Sequence, residues 1–259
     1  MSKTHTFVLV IAILAVRAAS ADDRTLVAEG DYVMSTKDGI KPIDHWKLWH
    51  ERDGEFSVEA TGALPPHANA AAMLVQTFKF NQQFLPVGYS LLAATGESEK
   101  IQLSCRYRSE KQILSCNTQY EGKELSASAK ARGPCVVIMS EFPGLDIPWF
   151  YASLLRIAGA TKSVNVAEVE VFVVDEDESG KITVKPDLHP TSFTFSHKET
   201  VTIDGKSWEL SVWAHDEAGQ DPTTIKIRDD GVVVSVGRSG RTLMELKNYV
   251  QRQPWRPSQ

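Results

Sequence analysis

Asp175, Asp177 and Ser179 alternate in the run Asp175-Glu176-Asp177-Glu178-Ser179-Gly180-Lys181-Ile182. This is the spacing with which a calcium loop aims oxygen ligands at one cation, with Gly180 at the sixth position, where such a loop turns sharply. The twelfth position, where a bidentate Glu closes the shell, is Pro186, and the flanks read as strands. The run is therefore a solvated acidic turn, with a weak calcium site as the alternative. His45 and His50 flank Trp46 and Trp49, but an odd separation along a strand puts them on opposite faces, where they cannot share a metal. Gly237-Arg238-Ser239-Gly240 is one residue short of a nucleophile elbow. No phosphate-cradling loop and no dinucleotide fingerprint occurs. The residues thus name no catalytic group, no cofactor and no further metal.

Three cysteines are present: Cys105, Cys116 and Cys135. Cys105 and Cys116 sit in matching Leu-Ser-Cys steps on either side of the polar stretch Arg108-Ser109-Glu110-Lys111. A hairpin centred on Glu110-Lys111 sets them opposite each other. A two-residue turn would make them a hydrogen-bonded pair, whereas cross-strand disulfides favour the closer non-hydrogen-bonded positions. A Cys105–Cys116 bridge therefore calls for a longer turn or a bulge. A bridge from either to Cys135, or three free thiols, are the alternatives.

The aromatic concentrations are Trp46, Trp49, Trp149, Phe150 and Tyr151. They are the candidates for lining an apolar cavity beneath a sheet, and ordinary core is the competing reading.

The elements that must position these groups are mostly strands. β-branched and aromatic residues alternate with polar ones, and turn signals recur at short intervals. Arg52-Asp53-Gly54 and Asp229-Asp230-Gly231 are hairpin turns. Two segments read as helices. Asp146 is placed as an N-cap and Pro148 in a first turn, which predicts a helix near residues 148–158. Leu243, Leu246 and Val250 recur at helical spacing and predict a short C-terminal helix over Thr242–Gln251. The expected fold is mainly β: a long antiparallel curved sheet, as a half-barrel or open barrel, with these two helices.

Residues 1–21 read as a secretory signal peptide. Lys3 precedes the apolar run Phe7–Val16, which is too short to span a membrane, and Ala19-Ser20-Ala21 is an A-x-A cleavage site. Residues 22–251 then form a single β-rich domain, and 252–259 a frayed tail. Removing residues 1–21 leaves 26 of the 28 basic side chains against 33 acidic ones, a net charge of −7. That balance argues against nucleic acid and anionic membrane surfaces as partners. No later segment is apolar for long enough to be a transmembrane helix.

The exported N-terminus, Gly30-Asp31-Tyr32, Leu85-Pro86-Val87-Gly88-Tyr89, Asp146-Ile147-Pro148-Trp149-Phe150 and the late Asp229-Asp230-Gly231 hairpin together form a pattern. It resembles uncharacterised secreted bacterial domains with a long antiparallel sheet, similar in shape to the half-barrel of periplasmic lipoprotein carriers. The resemblance implies a periplasmic or secreted, non-catalytic envelope protein that binds a lipid or other apolar ligand in a concave sheet. The alternative is a structural or protein-interaction module of the envelope.

Overall fold

The computed structural model describes residues 24–37, 39–63, 72–95, 99–120, 122–131, 136–140, 151–158, 161–176, 182–203, 205–215 and 222–255. Eight strands run in sequence through the first half: β1 (Thr25–Thr36), β2 (Gly39–His50), β3 (Phe56–Ala63), β4 (Ala72–Phe80), β5 (Pro86–Thr95), β6 (Glu99–Arg108), β7 (Ile113–Tyr120) and β8 (Lys123–Lys130). The second half contains β9 (Val136–Ser140), a short helix α1 (Leu154–Ala158), β10 (Ser163–Glu176), β11 (Ile182–Ile203), β12 (Lys206–His215), β13 (Thr223–Arg228), β14 (Val233–Arg238) and β15 (Arg241–Gln251).

All belong to one 15-stranded sheet, ordered β8-β7-β6-β5-β4-β3-β2-β1-β15-β14-β13-β12-β11-β10-β9. The first and last strands, β1 and β15, pair at its centre. The sheet is open, because its end strands β8 and β9 do not pair with each other. It curls so that β8 comes against β11, and β9 against β5.

Every neighbouring pair is antiparallel except β9 and β10, which run parallel. Parallel strands need a crossover, so the chain between them must return to the other end of the sheet. The segment carrying α1 makes that return, which accounts for a helix at this point of a β protein. The helix expected near 148–158 is present over Leu154–Ala158, and residues 148–150 lie outside the described residues.

The alternation expected of the strands holds through the first half. Trp46, Ala60, Gln76, Leu91, Leu103 and Thr118 lie in register across β2–β7 and are buried. One step along, Leu48, Val58, Phe78, Tyr89, Cys105 and Cys116 form a parallel row, also buried. These rows are the inner face. Gln76 sits among them, donating its side-chain N–H to the Tyr89 hydroxyl at 2.9 Å, while its Oε1 is buried without a hydrogen-bond partner among the described residues.

The 22-residue β11 carries Pro186 and Pro190. Over this stretch β11 pairs only with β10, since its pairing with β12 begins at Phe193. The strand is paired on one side only over this stretch, the setting in which sheets tolerate proline.

The predicted C-terminal helix over Thr242–Gln251 is instead β15. Met244 and Leu246 are buried at a spacing of two, and Tyr249 packs on Trp46 with 6.1 Å between centroids. A bulge accounts for the three-residue step between Leu246 and Tyr249. Glu29 and Asp31, two residues apart on β1, face Val250 and Lys247, three apart on β15. Asn248, inside the bulge, has φ 51°. An extra residue in one strand shifts the phase of the pleat, which turns Met244, Leu246 and Tyr249 inward and leaves Leu243 and Val250, whose spacing suggested a helix, exposed.

Candidate functional site

The five aromatic candidates do not form one site. Trp46, on the inner face, is fully buried and stacks on Tyr32 at 6.1 Å. Its neighbour across the ladder is Gly30, where a Cβ would sit 3.0 Å from the indole. Trp49 lies on the opposite face, because three residues along a strand reverse the side. It is half-buried, with the Arg24 guanidinium 4.2 Å from its ring centroid, and Arg24 is held by Glu59 at 2.7 Å. Trp49 therefore lines no inner cavity. Tyr151 is buried beside α1 and packs on Phe193 and His215, at 5.7 and 6.4 Å. Trp149 and Phe150 lie outside the described residues.

Cys105 and Cys116 are bonded, face to face on β6 and β7, with 4.1 Å between their Cα atoms. That separation is the close, non-hydrogen-bonded kind. The last pair before the turn is Arg108–Ile113. The loop thus has four residues instead of two, which moves the alternation by one position. Cys135 lies outside the described residues, as do Asp177 and Ser179 of the acidic run, while Asp175 is in β10 opposite Thr183. Among the described residues no group of three His, Cys, Asp or Glu side chains is placed to hold a metal.

Two clusters at one end of the sheet were not apparent from the sequence. Three turns there share one design. In each, the first residue's N–H donates to the fifth residue's carbonyl, and the fourth residue's N–H to the first residue's carbonyl, in Glu51–Glu55, Asn81–Leu85 and Arg228–Val232. The fourth residue takes positive φ in all three: Gly54 at 83°, Gly231 at 93° and Phe84 at 62°. Glycine suits that position and phenylalanine does not. Phe84 is held there by what its ring gains. It stacks on Phe80 at 4.3 Å and meets Phe56 and Trp255 edge-on or tilted, at 5.6 and 5.2 Å. A Cβ on Gly231 would lie 3.2 Å from the same ring and 2.8 Å from the Ala152 carbonyl. Turns from both halves of the sheet, the approach to α1 and the C-terminal segment thus converge on Phe84.

The segment after Gln251 is not a frayed tail as far as Trp255. The N–H groups of Arg252 and Gln253 donate to the Val27 carbonyl at 2.8 and 3.2 Å, and Trp255 is buried.

Beside it, the Arg228 guanidinium lies 4.4 Å over Trp208 and 4.7 Å over Tyr249, and pairs with Asp230 at 2.9 Å. Burial pushes the Asp230 carboxyl above the usual range, and Arg228 works against that rise. Burial also raises the hydroxyls of Tyr249 and Tyr32, the latter with help from Asp44 and Asp230. The Tyr32 hydroxyl donates to the Val233 carbonyl at 2.8 Å. Asp229-Asp230-Gly231 was legible as a turn, but nothing local marked Asp230 as buried.

These features define the class: an open, mainly antiparallel β-sheet protein with a buried inner face and a cross-strand disulfide. No known protein family and no curated protein matches the sequence. Among solved structures, it is similar to a β-barrel-like protein of the domain of unknown function DUF1849 from Brucella abortus. The identity is 11% over 88% of this chain and 98% of that one, with a TM-score of 0.47. It is also similar to a DUF1089 family protein from Pseudomonas aeruginosa, at 10% identity over 76% of this chain and 90% of that one, with a TM-score of 0.44.

Proposed function

We propose that this chain is an exported, non-catalytic protein of the cell envelope that works through its surface, as an interaction module, and carries no apolar ligand inside its sheet. The observation behind this reading is the state of the inner face. Trp46, Leu48, Val58, Leu74 and Leu103 are each 0% exposed. Side chains that line an open ligand pocket keep accessible surface, whereas these have none. Export rests on the signal-like residues 1–21 and agrees with the Cys105–Cys116 disulfide, a bond that persists in oxidising compartments. No helix among the described residues is long and apolar enough to cross a membrane.

Native mass spectrometry of the protein purified from its own envelope, followed by lipid extraction, tests the reading. The expected result is a lipid-free chain whose mass begins at Asp22. A stoichiometric co-purifying lipid would restore the carrier reading, and a mass that includes residues 1–21 would remove the export signal.

A further inference from the structure

The face opposite the buried rows holds an open groove of ≈670 Å3 on β4–β6, inside the size range of small-molecule sites, about 300–1,000 Å3. Lys79, Gly88 and Arg106 are in register across its floor. Arg108, two residues further along β6, lies on the same face. Gly88 does not take positive φ, so its backbone has no need of glycine. Its effect is spatial. A Cβ there would come 3.3 Å from the Cys105 carbonyl oxygen and 3.6 Å from the Lys79 Cβ. Without one, the floor between two long cationic side chains stays open. Their strands are two spacings apart, about 10 Å, so the two heads can close on one anionic group.

Some cations on the sheet are spent on carboxylates and others are not. Arg24, Lys226, Arg228 and Arg252 are each paired with a carboxylate. Among the described residues, Lys79, Arg106 and Arg108 have no ion pair, although the whole chain carries more acids than bases. Glu55 and Glu110 also line the groove. A bare anion would be repelled by both. A ligand carrying hydroxyls as well as an acidic group can use the cations as donors and the carboxylates as acceptors.

The next row on this face supplies the remaining contacts. Thr77, Ser90, Ser104, Asn117 and Ser126 are in register across β4–β8. Ser104 belongs both to the first groove and to a second of ≈580 Å3 on β6–β8. The two adjoin at Ser104, and the channel they would make together along this row crosses five strands, about 19 Å. Short hydroxyl and amide side chains suit hydroxyl-rich units laid end to end. We propose that this channel binds an acidic oligosaccharide, its carboxylate gripped by Lys79, Arg106 and Arg108 over Gly88. The inference stands independently of the compartment.

The test is calorimetric titration of the full chain at low salt with three probes: tetragalacturonate, neutral maltotetraose and inorganic phosphate. The expected result is saturable binding of tetragalacturonate that weakens with added salt, with maltotetraose about tenfold weaker or more and no saturable phosphate site. Arg106→Gln and Gly88→Leu should each weaken tetragalacturonate by about tenfold or more, while Lys198→Gln, a cation elsewhere, leaves it unchanged. Arg106→Gln replaces an exposed side chain, so it reports even where Gly88→Leu disturbs folding. Absence of tetragalacturonate binding at millimolar concentration, equal binding by Arg106→Gln, or phosphate binding as well as tetragalacturonate would each overturn the proposal.

Discussion

The ring of Phe84 lies 5.2 Å from the indole of Trp255, joining a turn in the first half of the sheet to the last described residue of the chain. Residues 171 positions apart thus share one aromatic cluster at the end where the three like turns meet. Phe84 remains in the left-handed region because its ring fills that space. Phe84→Ala and Trp255→Ala should each cost about 3–5 kcal/mol. Because the rings touch, the double variant should lose less than the two single losses together, by about 0.5–3 kcal/mol. Urea denaturation of the four proteins gives the coupling. Strict additivity would show the contact to be incidental.

The Cys105–Cys116 bridge closes a loop of 11-residue separation inside the buried row. Its loss should cost about 2–4 kcal/mol. The Cys105→Ala/Cys116→Ala protein should melt lower than the oxidised parent, and the parent in reductant should fall toward it. An unchanged melting temperature in reductant would argue against the bond.

Arg228 and Asp230 form a pair with 15% and 6% side-chain exposure. Removing one partner strands the other charge, whereas removing both does not. Arg228→Met should destabilise by about 3–5 kcal/mol, and Arg228→Met/Asp230→Asn should recover most of that. Chemical denaturation of the two variants at neutral pH decides the matter. A double variant no more stable than the single one would mean that the guanidinium acts through Trp208 and Tyr249.

The Arg252 guanidinium donates to Glu29 at 2.9 Å through Nε and holds the Glu29 carboxyl below its ordinary value of 4.5. A carboxyl depressed in the folded state adds stability that is complete above its unfolded pKa and is lost as pH falls through the folded one. Arg252 is half-exposed, at 52%, so screening reduces the effect. Arg252→Ala should lower stability at pH 7 by less than about 1 kcal/mol. The difference from the parent should shrink as pH falls below 4.5. Denaturant midpoints at pH 7 and in acid measure it, and a constant difference would refute the linkage.

How far the sequence could be read follows from the range of each interaction. Counting along β2 puts Trp46 and Trp49, three residues apart, on opposite faces, and they lie there, so the two could not line one cavity as the sequence reading allowed. Cys105 and Cys116 could be set opposite each other from one intervening turn. The need for a longer turn followed from ladder geometry, and the loop has four residues. The candidate cavity was a different case. Counting places Trp46 inward, but only the strands and side chains around it decide whether that space is empty or filled.

The sequence alone determined what depends on neighbours in the chain: most of the strands, the Asp-Gly turns and the alternation of inner and outer sides, and it set Cys105 opposite Cys116 while leaving Cys135 as an alternative partner. These follow from a pleat with a period of two and from glycine's freedom at positive φ. Tertiary structure decided that β15 is a central strand and not a helix, because its place between β1 and β14 satisfies its backbone and a bulge at Asn248 resets its pleat. It decided that Trp255 belongs to the core, that Asp230 is buried, and that Lys79 and Arg106 flank a bare glycine floor. Each depends on which distant segments meet, and burial by residues far along the chain leaves no local periodicity to count.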